Sequence, residues 1–238
     1  MGKLLAVDCS TSENSVALLD DTGTLASFCW QAVKRQPDGL IAAIRHVMST
    51  AGAAFESISA YAVGTGPGNF TGLRMAAATL QALALPSGHP VAGICSADAI
   101  AFALRREHKT TTPILIVGDA RRDRLWTILN SAATDDLHTI TQVIPVEDLG
   151  SMLADAQMLV ASPDWSVLQA LLTRTVLPPA TLMRNGVSPT AENVGRLALE
   201  RLQRGTWIPP ADPIYVHPPV FIDPVFTESS KRPIQPLP

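Results

Sequence analysis

The glycine-studded bend Gly64-Thr65-Gly66-Pro67-Gly68-Asn69-Phe70-Thr71-Gly72-Leu73-Arg74 constrains this chain more than any other segment. It leaves an apolar strand, Ile58 to Val63, and enters a helix from Thr71 to about Leu85. Alternating glycines permit backbone angles closed to other residues and let neighbouring backbone come close. Free amides at the helix start form a potential anion nest. The bend is no Walker A loop, because no Gly-Lys-Ser/Thr follows. Nor is it a dinucleotide fingerprint, because Asn69 stands where the third glycine belongs. The residues leave three uses open: a tight structural turn, a phosphate loop or a partner-contact loop.

The helix behind the bend has almost no polar side. Leu73, Ala76, Ala77, Leu80, Leu83 and Ala84 line one face, and Met75, Ala78, Ala82 and Leu85 continue the apolar surface. Only Arg74 and Gln81 break it, so the helix is expected to be covered by its own fold or by another chain. Covering about ten apolar side chains is worth on the order of 10 kcal/mol gross, at roughly 25 cal/mol per Å². Composition points the same way. Of 238 residues, 47% are hydrophobic and only 16% charged, which predicts an apolar face covered by a partner. Aromatics at 5% argue against stacking platforms for single-stranded nucleic acid, and a net charge of −3 argues against unaided binding by counterion release.

Upstream, apolar runs at Leu4 to Cys9, Ser15 to Leu19 and Thr24 to Trp30, with a turn at Asp20 to Gly23, predict an antiparallel meander. After Pro37, Leu40, Ile41, Ile44, Val47, Met48 and Ala51 share one helical face, and Gly52 ends that helix. A short strand at Val91 to Ile94 and a helix capped by Ser96 and running to about Arg106 follow. Three antiparallel strands, then helix, strand, helix, strand, helix, is the order of a ribonuclease-H-like lobe. A charged linker, Arg105 to Thr112, leads to a second block. Its expected elements are strands at Ile114 to Gly118, Leu125 to Asn130, His138 to Ile144 and Met158 to Ala161. Helices are expected at Val146 to Ala156, Trp165 to Thr173 and Thr190 to Arg204. The expected division is 1–106, 107–212 and a C-terminal segment 213–238 with a disordered end.

Asp8-Cys9-Ser10-Thr11 closes the first strand, where an acid followed by hydroxyls could hold a metal-bound phosphate or simply stabilise a turn. The Asp119 to Arg124 connection carries three arginines and two aspartates, fit for phosphate, an acidic partner or local ion pairs. Cys9, Cys29 and Cys95 read as buried free thiols. No two of His46, His89, His108, His138 and His217 have metal-pair spacing, and no Gly-x-Ser-x-Gly elbow occurs. No catalytic or metal residue is therefore assigned. The N-terminus has neither signal- nor transit-peptide character, and no apolar run nears the roughly 18 residues of a membrane span, so a cytoplasmic protein is expected.

The bend, the alanine-rich helix, Val91-Ala92-Gly93-Ile94 and Ser96-Ala97-Asp98-Ala99 together resemble the TsaB (YeaZ) family. So do Leu5-Ala6-Val7-Asp8-Cys9-Ser10-Thr11, Asp119-Ala120-Arg121-Arg122 with Trp126, and Pro213-Ile214-Tyr215-Val216. The resemblance implies a two-lobed α/β fold with mixed sheets, of the actin-like and sugar-kinase-like (ASKHA) kind. It implies a non-catalytic scaffold that pairs with a TsaD-type subunit, with a TsaE-type ATPase docking on the pair, in making threonylcarbamoyladenosine on transfer RNA. Alone, the chain is expected to be a homodimer, touching tRNA only through the complex and touching no membrane. Leu40, Ile44, Val47, Leu73, Arg74, Ala77, Leu80 and Gln81 are the expected partner interface. Asp8, Ser10, Thr11, Gly66, Gly68, Asn69 and Thr71 are the nucleotide or phosphate candidates. No cofactor is expected to be required, with ATP or ADP at a subunit interface as the one candidate. The rival functions are an ASKHA phosphotransferase or ATPase using Asp8, and thirdly a protease acting on a partner. Two departures from the family stand out: Gln36-Pro37-Asp38-Gly39 replaces a His-Ser pair, and Asn69 replaces the commoner Ser.

Overall fold

The structure, a computed structural model, describes residues 2–32, 39–131, 141–206 and 210–216. The expected disordered end and the Gln36-Pro37-Asp38 helix start lie outside the described residues.

The first sheet holds β1 (Lys3–Asp8), β2 (Glu13–Asp20), β3 (Gly23–Gln31), β4 (Ile58–Gly64) and β5 (Val91–Ile94) in the order β3-β2-β1-β4-β5. The three-strand meander is antiparallel, and β4 and β5 join it parallel to β1. Strands β1 and β2 are buried almost throughout, which is why they read as unbroken apolar runs. Helices α1 (Gly39–Thr50) and α2 (Phe70–Ala84) cover one face of this sheet. Gly52, at φ +58°, supplies the left-handed stop after α1. The second sheet holds β6 (Ile114–Asp119), β7 (Arg124–Asn130), β8 (Thr141–Pro145), β9 (Leu159–Ala161) and β10 (Thr181–Leu182). Read from β8 to β10, its order and strand directions repeat those of the first sheet from β3 to β5. The fold is thus the two-lobed α/β arrangement with mixed sheets that the family resemblance implies.

Helix α3 (Ser96–His108) lies between the lobes. Ala99 packs toward the first sheet, whereas Ala97, Ile100, Ala101 and Leu104 pack against Ile114, Ile116 and Ile128 of the second. Helix α6 (Ala191–Gln203) returns to the far face of the first sheet, where Val194 and Ala198 meet Leu4, Ala6 and Leu19. A division at 106 therefore cuts α3 in its last turn and assigns α6 away from the sheet it covers. Helices α4 (Leu149–Leu153) and α5 (Trp165–Thr175) close the outer face of the second sheet. The helix expected over Val146 to Ala156 is shorter, a 3-10 turn at Val146–Asp148 leading into α4. Gly150 and Ser151 are poor propagators there. The lobes are tied by Arg105. Its guanidinium donates to Asn130 O at 2.7 Å and Thr112 O at 3.0 Å, while Asn130 Nδ2 donates to Asp98 Oδ1 at 3.1 Å.

Cys9 and Cys95 are buried as expected, but Cys29 is exposed, because β3 is the edge of its sheet.

Candidate functional site

Strand β1 ends in Asp8, which is 0% exposed. Its Oδ1 accepts from the Ser10 amide at 2.9 Å and the Ser10 hydroxyl at 2.7 Å, and its Oδ2 accepts from the Ser96 hydroxyl at 2.7 Å. Ser96 Oγ in turn accepts the Gly66 amide at 3.0 Å. The glycine bend is folded onto this knot. The Asn69 amide donates to Ser10 O at 2.7 Å, and the Ser96 amide to Gly66 O at 2.9 Å. The glycines are there for approach: a Cβ on Gly64 would fall on Asp8 Oδ2, on Gly68 against Ser10 O, and on Gly72 against Cys9 O. Burial pushes the Asp8 carboxyl above its ordinary range, against the opposing effect of the Ser10 and Ser96 hydrogen bonds.

Asp8, Ser10, Gly66, Gly68 and Asn69 are therefore brought together, but around one another. Thr11 turns into its own loop, with Oγ1 donating to Glu13 O at 2.9 Å. Thr71 is exposed on the first turn of α2. The metal-bound phosphate considered for Asp8 does not fit beside its carboxyl as arranged here: both oxygens are engaged internally, and Gly64 leaves no room beside Oδ2. Among the described residues, no group of three or more His, Cys, Asp or Glu could hold a metal ion. Ser96 was expected to be a helix cap. Cys95 holds the cap position of α3 without a side-chain bond to the helix, and the Ser96 hydroxyl crosses to Asp8, a pairing over 88 positions that no local pattern signals.

The expected interface needs correction. Leu40, Ile44, Val47, Leu73, Ala77 and Leu80 lie between 0% and 7% exposed, covered by the chain itself, and Leu40, Ile44, Val47 and Leu80 belong to the core that α1 and α2 form with the first sheet. Arg74 and Gln81 do face outward. With them runs a stripe of Phe70, Ala78, Ala82 and Leu85, in which Phe70 is 54% and Leu85 81% exposed. The Arg74 guanidinium lies 5.2 Å from the Phe70 ring centre, and Tyr215 packs on the same ring at 5.0 Å. Tyr215 arrives on a strap anchored by the Ile214 amide to Thr65 O at 2.7 Å.

In the second lobe, Arg121, Arg122 and Asp123 join β6 to β7 with φ of +58°, +51° and +56°. Left-handed backbone at three successive non-glycine residues costs of order 1 kcal/mol each and persists only where surroundings impose it. Here Asp119 Oδ1 accepts the Arg121 amide at 2.7 Å, the Arg124 amide donates to Arg121 O at 3.1 Å, and the Val146 amide donates to Asp123 O at 3.0 Å. Asp164, at the start of α5, accepts the Asp119 amide at 2.8 Å. Burial, with Asp119 nearby, raises the Asp164 carboxyl, although the Asp119 amide works the other way.

A family model described as TsaD, tRNA N6-adenosine threonylcarbamoyltransferase, matches residues 32–154. The chain belongs to this family. Relatives there carry the TsaB and YeaZ names of the family that the sequence resembles. It is 30% identical to the tRNA threonylcarbamoyladenosine biosynthesis protein TsaB of Escherichia coli over 52% of this chain and 53% of that protein. To the Bacillus subtilis TsaB it is 27% identical over 69% of each. YeaZ from Pseudomonas aeruginosa, 27% identical, superposes with a TM-score of 0.72 over 91% of this chain and 100% of that one. The chain spans about half the length of the first curated relatives it matches. No helix among the described residues is long and apolar enough to cross a membrane.

Proposed function

We propose that this chain is the non-catalytic scaffold subunit of a cytoplasmic assembly that makes threonylcarbamoyladenosine on transfer RNA. It pairs with a TsaD-type catalytic subunit, and a TsaE-type ATPase docks on that pair. The sealed knot at Asp8 supports this reading most. A carboxylate with three internal donors and no exposure offers nothing to a soluble substrate, whereas a companion subunit needs a surface. That surface is the outer stripe of α2, Phe70, Arg74, Ala78, Gln81, Ala82 and Leu85, through which the chain also pairs with itself when alone. Small residues at its centre let a partner helix approach closely. No cofactor of its own is required, and ATP or ADP would be held at a subunit interface rather than at Asp8.

The test is Ala78→Arg, read by sedimentation with a TsaD-type protein. It is expected to abolish the one-to-one complex and leave thermal unfolding unchanged, whereas Ala77→Arg, one residue round the helix, buries a charge and unfolds the chain. Full pairing by the Ala78 variant would overturn the assignment of this face.

A further inference from the structure

From the β6–β7 turn we infer that this chain itself contacts RNA: Arg121 and Arg122 hold backbone phosphate, and the groove beside them takes an unpaired base. This rests on the reading that the chain works in a tRNA-modifying assembly, and it replaces the expectation that tRNA is met only through partners. Two observations meet at Asp123. The first is the turn. Arg121 and Arg122 are exposed, form no ion pair among the described residues, and sit on backbone held left-handed by four surrounding hydrogen bonds. Two guanidinium forks carried on backbone that is held in place suit phosphate oxygens.

The second is an open surface groove of about 360 Å³, lined by Asp123, Val146, Glu147, Gly150, Leu171 and Arg174 among others. Its volume lies at the low end of what small ligands occupy. Val146, Leu171 and Gly150 give it apolar walls for a base face, and Arg174 supplies a planar cation for stacking. Asp123 and Glu147 would repel phosphate from the groove but accept from the exocyclic amine of adenine, cytosine or guanine. The same two carboxylates disfavour an acidic peptide, the other partner that bare arginines could attract. Because the chain carries a net charge of −3, the contact is local and adds to whatever RNA surface a partner supplies.

The experiment uses the full chain and a short labelled single-stranded RNA of mixed sequence, with polyglutamate as competitor. Arg121→Asn with Arg122→Asn removes both charges using a residue that tolerates left-handed backbone. It is expected to weaken binding at least about tenfold and to reduce the salt slope by about 1.4, for two phosphates at about 0.7 each. Gly150→Leu places an apolar side chain at the groove, where its Cβ meets only Thr175 Cγ2 at 3.7 Å. It is expected to weaken binding while leaving the salt slope intact. Absence of binding by the parent chain, indifference to both variants, or displacement by polyglutamate as effective as by RNA overturns the inference. Pairing with the TsaD-type subunit is measured on the same samples. A chain that pairs but ignores RNA sinks this inference alone, whereas a chain that fails to pair sinks the scaffold reading.

Discussion

Strands β1 and β6 hold corresponding places in two sheets of the same order. Each runs six residues, ends in an aspartate and reaches its antiparallel neighbour through a four-residue turn. Each aspartate accepts the amide two residues on, Asp8 from Ser10 at 2.9 Å and Asp119 from Arg121 at 2.7 Å. There the likeness ends. The first turn is overlain by the backbone of the glycine bend and takes a third donor from 88 residues along the chain, Ser96. The second is open, its residues 121–124 all exposed, and it carries arginines on strained backbone. The local hydrogen bond is the same in both. What packs over the turn decides whether it becomes a rivet or a display.

The comparison breaks most visibly at the overlying backbone. Gly68→Ala drives a methyl into Ser10 O, where neither backbone can yield, and is expected to cost about 3 kcal/mol or more. That is a fall of roughly 6–12 °C in melting temperature for a chain of this size. A melt unchanged within about 1 °C would mean that the bend is not seated on the first turn.

The aspartates themselves come next. Asp8→Ala leaves the Ser10 amide and the Ser10 and Ser96 hydroxyls buried without an acceptor, an expected loss of about 3 kcal/mol. Asp119→Ala removes one acceptor from an exposed amide and should cost about 1 kcal/mol or less. Equal losses in the two melts would erase the distinction drawn between the turns.

Acidity sharpens it further. Burial raises the Asp8 carboxyl, so the folded state binds its proton more tightly than the unfolded chain does. The stabilisation from the protonated form is complete below the usual carboxylate range and is lost as pH rises through the folded value. Asp8→Asn cannot ionise, so its stability relative to the parent is expected to improve as pH climbs from about 4 toward neutrality. A parent that instead gains on the Asn variant would show that the three donors outweigh burial.

The strands and main helices of the first lobe were legible because each is a complete pattern within a few residues. Unbroken apolar runs gave β1 and β2, and helical spacing over 40–48 and 73–84 gave α1 and α2. The spacing also separated the two sides of α2. It could not say which side meets its own sheet, because Ala77 and Ala78 are chemically the same residue with opposite fates. The return of α6 to the first sheet and the reach of Ser96 to Asp8 were hidden for a different reason: both join residues far apart in sequence. Strand β10 is two residues after a Pro-Pro pair and has no period to read. The turn at 119–124 was visible as a cluster of charge, but its left-handed backbone is imposed by Asp119, Asp164 and the Val146 amide rather than by glycine.

That imposed backbone gives the smallest effect, and one of opposite sign. If the second turn stores strain for display, relieving it should stabilise the protein. Arg122→Asn keeps the turn, suits φ of +51° and removes no ion pair among the described residues. An increase of roughly 0.5–1 kcal/mol is expected, seen as a rise of a few degrees in the melt. The first turn has no such reserve, since none of residues 9–12 sits at a positive φ. A neutral or destabilising Arg122→Asn would show that the arginine is held by packing after all, and would make the two turns alike in purpose as well as in form.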